Sequence, residues 1–383
     1  MTEPDRSEVA SLREMFGVTE RFAYLNHAGL GPLSKVAAAR AAEVVTLQAG
    51  LGSLGGPTWQ GWLTSARRRA SALIGAKEVE VAFLKNTPEA ISTIASGLDW
   101  SAGDNVVVPA CEFPANVYPW MNLRPLGVDV RLVPAPRGVV TPAMLAEAVD
   151  RRTRVVAVSW VQFLSGARID IDEVGDLCAR KGILFLVDAI QGLGVCPIDV
   201  RRAGIHFLAT ASHKWLLSPM GAGWLYCRED LVDRLRLVEV GQSTVPPSES
   251  YLDYRYEPRA DARRFEAGVP AYASIAGLDG ALELLGQVGV PAVQARVEAL
   301  CTHLIQRLQR LGCDVLTPED PARRAGIVTF RHAAFPTADL LERLAVGGIV
   351  VVNREGWVRA SPHCYNTIEE LDRLVAVLSK GLP

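Results

Sequence analysis

Six short apolar runs constrain this chain more than any other feature: "VAFL" from Val81, "NVVVP" from Asn105, "RVVAVSW" from Arg154, "ILFLVD" from Ile183, "HFLATAS" from His206 and "GWLYC" from Gly223. They are rich in β-branched residues and apolar at consecutive positions, as strands are when both faces of their sheet are covered. Segments with helical periodicity lie between several of them, among them "TPEAISTIASGL", "TPAMLAEAVD" and "DEVGDLCARKG". The alternation predicts an α/β fold of the doubly wound kind, a large domain whose mixed, mainly parallel sheet is sandwiched by helices. From about Gly277 the texture changes to long amphipathic helices, then the strand-like "GIVTF", "GGIVVVN" and "GWVRAS" and a closing helix. This predicts a smaller α+β C-terminal domain over 277–383, with residues 1–20 packing on it, beside a large domain over 21–276. "GLGSLGGPTWQGW" and "GQSTVPPSESYLDYRYEP" read as loops long enough to be functional.

Composition narrows the partners. A net charge of −2 and a pI near 6.3 carry no basic surplus for nucleic acid or a membrane surface. The N-terminus "MTEPDRSEVASLREMFG" has no apolar targeting core, and no apolar run approaches the length of a membrane span, so a cytoplasmic location is expected. Seven cysteines are scattered without a C-x-x-C pair, which fits neither a zinc site nor a disulfide framework. No metal is expected.

Within "TASHKWLLSPMGAGWLY" one lysine, Lys214, stands in a run that otherwise reads as buried. A buried amine needs a partner, a route to water or a covalent bond. Ligands in an open α/β sheet collect at the C-terminal ends of the strands, where Asp188 closes "ILFLVD" and Lys214 follows "HFLATAS". The opening "NTPEAIS" adds a helix N-terminus fit for phosphate, with Thr87 able to cap it and Pro88 at its first position. A cofactor with an aldehyde, a protonated ring nitrogen and a phosphate uses all of these parts, which is the description of pyridoxal 5'-phosphate. Read singly, Lys214 is a strand-end lysine reaching for solvent and Asp188 a helix cap; together with the downstream glycines they make a site.

The combination of "FLVDAIQ", "ASHKWLLSPMGAGWLY", "RRFEAGVPAYASIAGLDGALELL" and "VRASPHCYNTIEELDRL" resembles the class V aminotransferase family of pyridoxal-phosphate enzymes, which includes cysteine desulfurases and isopenicillin N epimerase-like proteins. The resemblance runs from "YLNHAGLGPLS" to the last helix. It implies that Lys214 is the catalytic, Schiff-base lysine, that Asp188 pairs with the ring nitrogen and that Gln191 bonds the phenolic oxygen. It further implies that Thr87, Ser212 and His213 hold the phosphate and that Phe113 of "EFPAN" stacks on the ring, where many relatives have His. Arg359 of "VRASP" takes the substrate α-carboxylate, and Asn26 and His27 match a loop lining the substrate entrance. A homodimer and a small amino-acid substrate are implied as well.

Three positions depart from the family pattern. Only "NREGW" separates "IVVV" from "VRAS", leaving no room for the cysteine-bearing loop of desulfurases. Val269 stands where a Thr often reaches the neighbouring subunit's cofactor, and Gln162 of "SWVQFLSG" substitutes for an Asn. Cys111 beside Glu112 has no basic neighbour in sequence to activate it, so it is assigned no role. The expected chemistry is transamination, with a C–S β-lyase or an amino-acid epimerase as alternatives and a non-catalytic relative as the reading from another class.

Overall fold

The computed structural model describes residues 6–248, 250 and 252–380. The short strand β1 (Ala23–Tyr24) lies outside the main sheet. That sheet is built from β2 (Val81–Leu84), β3 (Asn105–Pro109), β4 (Asp129–Val133), β5 (Thr153–Ser159), β6 (Leu184–Asp188), β7 (Phe207–Ala211) and β8 (Gly223–Cys227), in the order β2-β8-β7-β6-β5-β3-β4. Every pairing is parallel except the two that β8 makes, with β2 and β7.

The consecutive apolar residues are needed because both faces are covered. Val156, Val158, Phe185, Val187 and Leu208 join the core on one side, and Val155, Ala157, Leu186, Phe207 and Ala209 the core on the other. Local signals set the covering helices. The helix Ile171–Lys181 starts where Asp170 accepts the amides of Asp172 and Glu173, buries Ile171, Val174, Leu177 and Cys178, and stops at Gly182 with φ 65°.

β9 (Asp314–Val315), β10 (Val328–Arg331), β12 (Val352–Arg354) and β13 (Trp357–Ala360) form an antiparallel sheet in the order β12-β13-β10-β9, while β11 (Ile349–Val350) pairs in parallel with β1. Fold class and the C-terminal antiparallel layer are as the sequence predicts.

Three details differ. The glycine-rich stretch from Gly50 to Trp62 is helical rather than a loop, a 3-10 turn over Gly52–Gly55 running into the helix Gly56–Leu73. Pro57 suits the first turn, and Trp59 packs against Tyr272 with ring centroids 5.7 Å apart. The helix Tyr272–Val288 passes unbroken through Gly277 and packs on the large sheet's side of the molecule: a Cβ on Gly280 would meet the backbone of Val36 and Ala37 at 3.1 and 3.2 Å. The change of texture there marks a helix docked by its glycines, and one apolar cluster continues from the main sheet into Val297, Leu304 and Leu374. Finally, β4 carries Asp129 and Arg131 at an edge, so it lacks the apolar run of the inner strands. Among the described residues no helix is long and apolar enough to cross a membrane.

Candidate active site

The parallel strands β5, β6 and β7 end along one edge and bring their last residues together. Ser159 lies opposite Asp188 in register, and the Lys214 turn follows β7. Asp188 is 2% exposed, and its Oδ1 accepts the amide of Ile190 at 3.0 Å. Burial raises its proton affinity to about 6, against the pull of Lys214 in the other direction. Lys214 is lowered to about 8, first by burial and then by Arg359 and Arg354, with Asp188 opposing. An amine so placed carries a neutral, nucleophilic fraction near physiological pH that is far larger than that of a solvated lysine. Its Nζ faces the ring of Phe113 at 5.8 Å from the centroid, and that ring meets Phe163 edge-on at 5.3 Å.

The peptide that carries the lysine is held from two directions. Gly31 donates its amide to the His213 carbonyl at 2.8 Å. From the C-terminal region, His363 Nε2 lies 3.1 Å from the Trp215 carbonyl, which only a protonated Nε2 can serve. Trp215 donates its indole N–H to Gln191 Oε1 at 2.8 Å, and Gln191 Nε2 donates to the Ala28 carbonyl at 3.0 Å. Gln191 is thus fixed at the crevice floor with one amide hydrogen still available.

At the helix Thr87–Gly97 the expected cap moves back one residue. Asn86 Oδ1 accepts the Glu89 amide at 3.0 Å, because Asn86 and not Thr87 has the extended backbone a cap needs. Thr87 is released from that duty: it is 2% exposed and its Oγ1 is buried without a partner. Ser212 turns its hydroxyl to the Ala222 carbonyl at 2.5 Å. His213 is half-buried and pushed down to about 4 by burial and by Lys214, so its imidazole is neutral.

Arg359 on β13 is 1% exposed. Its Nη1 donates to the Phe163 carbonyl at 2.7 Å, while Nε and Nη2 are buried and unpaired. Burial and Arg354 lower its proton affinity to about 9. Asn26 has an unpaired, buried Oδ1. His27 does not line an entrance: it is fully buried behind Trp215, with Nδ1 donating to the Ser361 carbonyl at 2.7 Å and Nε2 accepting from Tyr365 at 2.6 Å. Its neighbour Ala28 is similarly closed in, so the Asn26–Gly31 turn presents backbone rather than imidazole to the lysine loop.

Sequence reasoning missed Glu112, which sits at this edge, 8% exposed. Its Oε1 accepts from the Ser159 amide at 2.6 Å and from Gln162 Nε2 at 2.9 Å, and its Oε2 from the Ser159 hydroxyl. Burial raises it to about 7, with the Asp188 charge adding to the effect. The signal available in sequence was an acid immediately before the expected stacking residue. Cys111 is pushed up to about 12 by burial, so it is not an activated thiol. No group of three His, Cys, Asp or Glu able to hold a metal occurs among the described residues.

The profile of the aminotransferase class-V family matches residues 58–374. The chain belongs to that family. A probable cysteine desulfurase of Methanothermobacter thermautotrophicus is 33% identical over 342 residues, covering 83% of each chain. An uncharacterized aminotransferase of Bacillus subtilis, YcbU, is 31% identical over 306 residues, covering 80% of each. Among solved structures, the apo cysteine desulfurase of Thermococcus onnurineus NA1 superposes with a TM-score of 0.90 at 25% identity, over 100% of this chain and 99% of that one.

As a class V member the chain is a pyridoxal-phosphate enzyme. The residues present fit that group. The orphaned Thr87 Oγ1 at a helix N-terminus suits a phosphate, the buried Asp188 a ring nitrogen, and the Lys214 amine, with its lowered proton affinity, an aldehyde. The empty arms of Arg359 form a fork for a carboxylate.

Proposed function

We propose that this chain is a C–S lyase that eliminates the sulfur substituent of a small α-amino acid to give pyruvate, ammonia and the sulfur fragment at its own oxidation level: sulfide or a thiol from cysteine and its thioethers, a persulfide from cystine, a sulfenic acid from an S-oxide. The observation that carries this reading is the β12–β13 hairpin. Arg354 pairs with Trp357, so only Glu355 and Gly356 make the turn, with φ of 50° and 79°. Two positive φ values are the signature of the tightest hairpin connection. A mobile cysteine loop has no place there, and no cysteine stands in the hairpin. The relative and the structure named as cysteine desulfurases point to a sulfur-bearing substrate. Without a thiol to receive sulfur, release by elimination is the chemistry left. Transamination, expected from the residues alone, has no contact of its own in its favour.

The roles follow from placement. Pyridoxal phosphate, when bound, supplies the electron sink that stabilises negative charge at the substrate Cα. Arg359 Nε and Nη2 grip the α-carboxylate and fix which Cα bond faces Lys214. Lys214 Nζ takes the Cα proton and hands it to the departing sulfur, so the C–S electron pair leaves with the thiol and the C–H pair becomes the new double bond. Water then completes hydrolysis to pyruvate and ammonia. Asp188 would hold the proton on the ring nitrogen, Thr87 and the helix N-terminus would hold the phosphate, and Phe113, backed edge-on by Phe163, would cover the ring.

Incubation of the purified holoprotein with L-cysteine, L-cystine and L-cysteine S-oxides tests the reading. Pyruvate and ammonia in equal amounts are expected; alanine without pyruvate, or amino transfer to a keto acid, would overturn it.

A further inference from the structure

Glu112 is the one buried acid at the strand ends to which the proposed reaction gives no task. Its position is determined by three donors. Ser159 contributes both its amide and its hydroxyl, and Gln162 its side-chain N–H, so the turn after β3 is braced against the end of β5. Ser159 and Asp188 are register partners on adjacent parallel strands, and paired residues project from the same face of a sheet. The Glu112 carboxylate is therefore held on the Asp188 side, one strand away. Its chain neighbour Phe113 faces Lys214.

We propose that Glu112 is a positioning residue and the second carboxylate of the site: clamped by Ser159 and Gln162, it places the Phe113 ring over the cofactor and supplies a negative charge behind Asp188 that favours the protonated ring and the protonated lysine linkage. This rests on the placement of pyridoxal phosphate between Lys214 and Asp188, and is independent of whether the reaction breaks a C–S bond. The titratable groups that feel Glu112 are Asp188 from β6 and Cys111 from its own turn, and Lys214 lies beyond Asp188. The donors from β5 and the segment after it, Ser159 and Gln162, are neutral. Cys111 keeps its proton throughout the working range, so apart from Lys214 itself the titrating group that changes the field at Asp188 is Glu112.

The site is also built so that charge can be removed without changing shape. Gln162 Oε1 is buried and unpaired. In Glu112→Gln the remaining oxygen keeps the Oε1 position and its two donors, the Ser159 amide and the Gln162 N–H, while the new NH2 takes the Oε2 position and donates to the Ser159 hydroxyl, which turns to accept it. The test is a pH titration of the visible absorbance of the holoprotein, which needs no substrate. Loss of a negative charge destabilises the protonated chromophore, so E112Q lowers the midpoint by on the order of one pH unit, with melting temperature close to wild type. E112D keeps the charge and stays at the wild-type midpoint. Gln162→Leu removes a donor that favours the ionised carboxylate, and moves the midpoint in the same direction as E112Q by less; it serves if E112Q does not fold. Midpoints of E112Q or Q162L that coincide with wild type overturn the proposal. Activity assays with cysteine derivatives bear only on the lyase reading.

Discussion

Arg359 gives one guanidinium arm to the Phe163 carbonyl at 2.7 Å and keeps the other two donors, Nε and Nη2, buried and unpaired. The first contact fixes the plane of the fork, and the free pair faces a site with no internal acceptor. Leaving such donors unsatisfied disfavours the empty site, so a bound carboxylate recovers more than it would at a solvated arginine. Arg359→Gln is expected to lower kcat/KM roughly a hundredfold, about 3 kcal/mol, while the visible spectrum of the holoprotein is retained. Steady-state kinetics beside an absorption spectrum check it.

Thr87 makes a prediction of opposite sign for two measurements. Its Oγ1 has no partner in the protein alone, so Thr87→Val replaces an unsatisfied buried hydroxyl by a methyl of the same shape. The cofactor-free protein should melt at the same temperature or higher. Affinity for pyridoxal phosphate should fall roughly tenfold, the worth of one hydrogen bond to a charged group. Thr87→Ser should restore affinity.

Lys214 gives the cofactor-free protein a pH dependence. Its proton affinity is lowered from 10.5 to about 8 in the fold, so between these values the unfolded chain binds a proton that the folded chain has released. Stability contributed by this group therefore rises with pH across that window and is lowest below it. Lys214→Met should be more stable than wild type at pH 7, by on the order of 2 kcal/mol, and the gap should close as pH approaches 10.5. Denaturant titrations of both proteins at several pH values check it.

The amide of Gly31 reaches the lysine loop only because it has no side chain. A Cβ there would stand 2.2 Å from the Lys214 carbonyl and 2.9 Å from Leu217 Cδ2, and the first of these cannot move without moving the lysine. Gly31→Ala should cost about 2 to 3 kcal/mol and reduce cofactor occupancy. Gly17→Ala, where nothing lies within 4 Å of the added carbon, is the control.

What the sequence made legible tracks how strongly burial writes itself into residue type. Inner strands such as β5 and β6 must be apolar on both faces, and they stood out; β4, at the edge with Asp129 and Arg131, did not. Lys214 and Asp188 were visible because a charged group at the end of an apolar run is costly without a purpose. Contacts between distant segments were not visible. That Asn86 rather than Thr87 caps its helix depends on one residue's backbone angles, and that His27 is sealed behind Trp215 depends on Ser361 and Tyr365. Glu112 was passed over for the same reason: its three donors come from β5 and the segment beyond it.

The lysine peptide's two supports come from opposite ends of the chain, Gly31 on His213 and His363 on Trp215. A ribosome delivers Gly31 well before Lys214 and His363 well after it. At the usual pace of synthesis, Lys214 spends on the order of ten seconds outside the tunnel before His363 can brace it and Arg359 can overlook it. During that interval it is an ordinary solvated amine, mostly charged and slow to react with an aldehyde. The lowered proton affinity that makes Lys214 a ready partner for pyridoxal phosphate is therefore a property of the folded site, acquired only once the segment that carries Arg359 and His363 has been made.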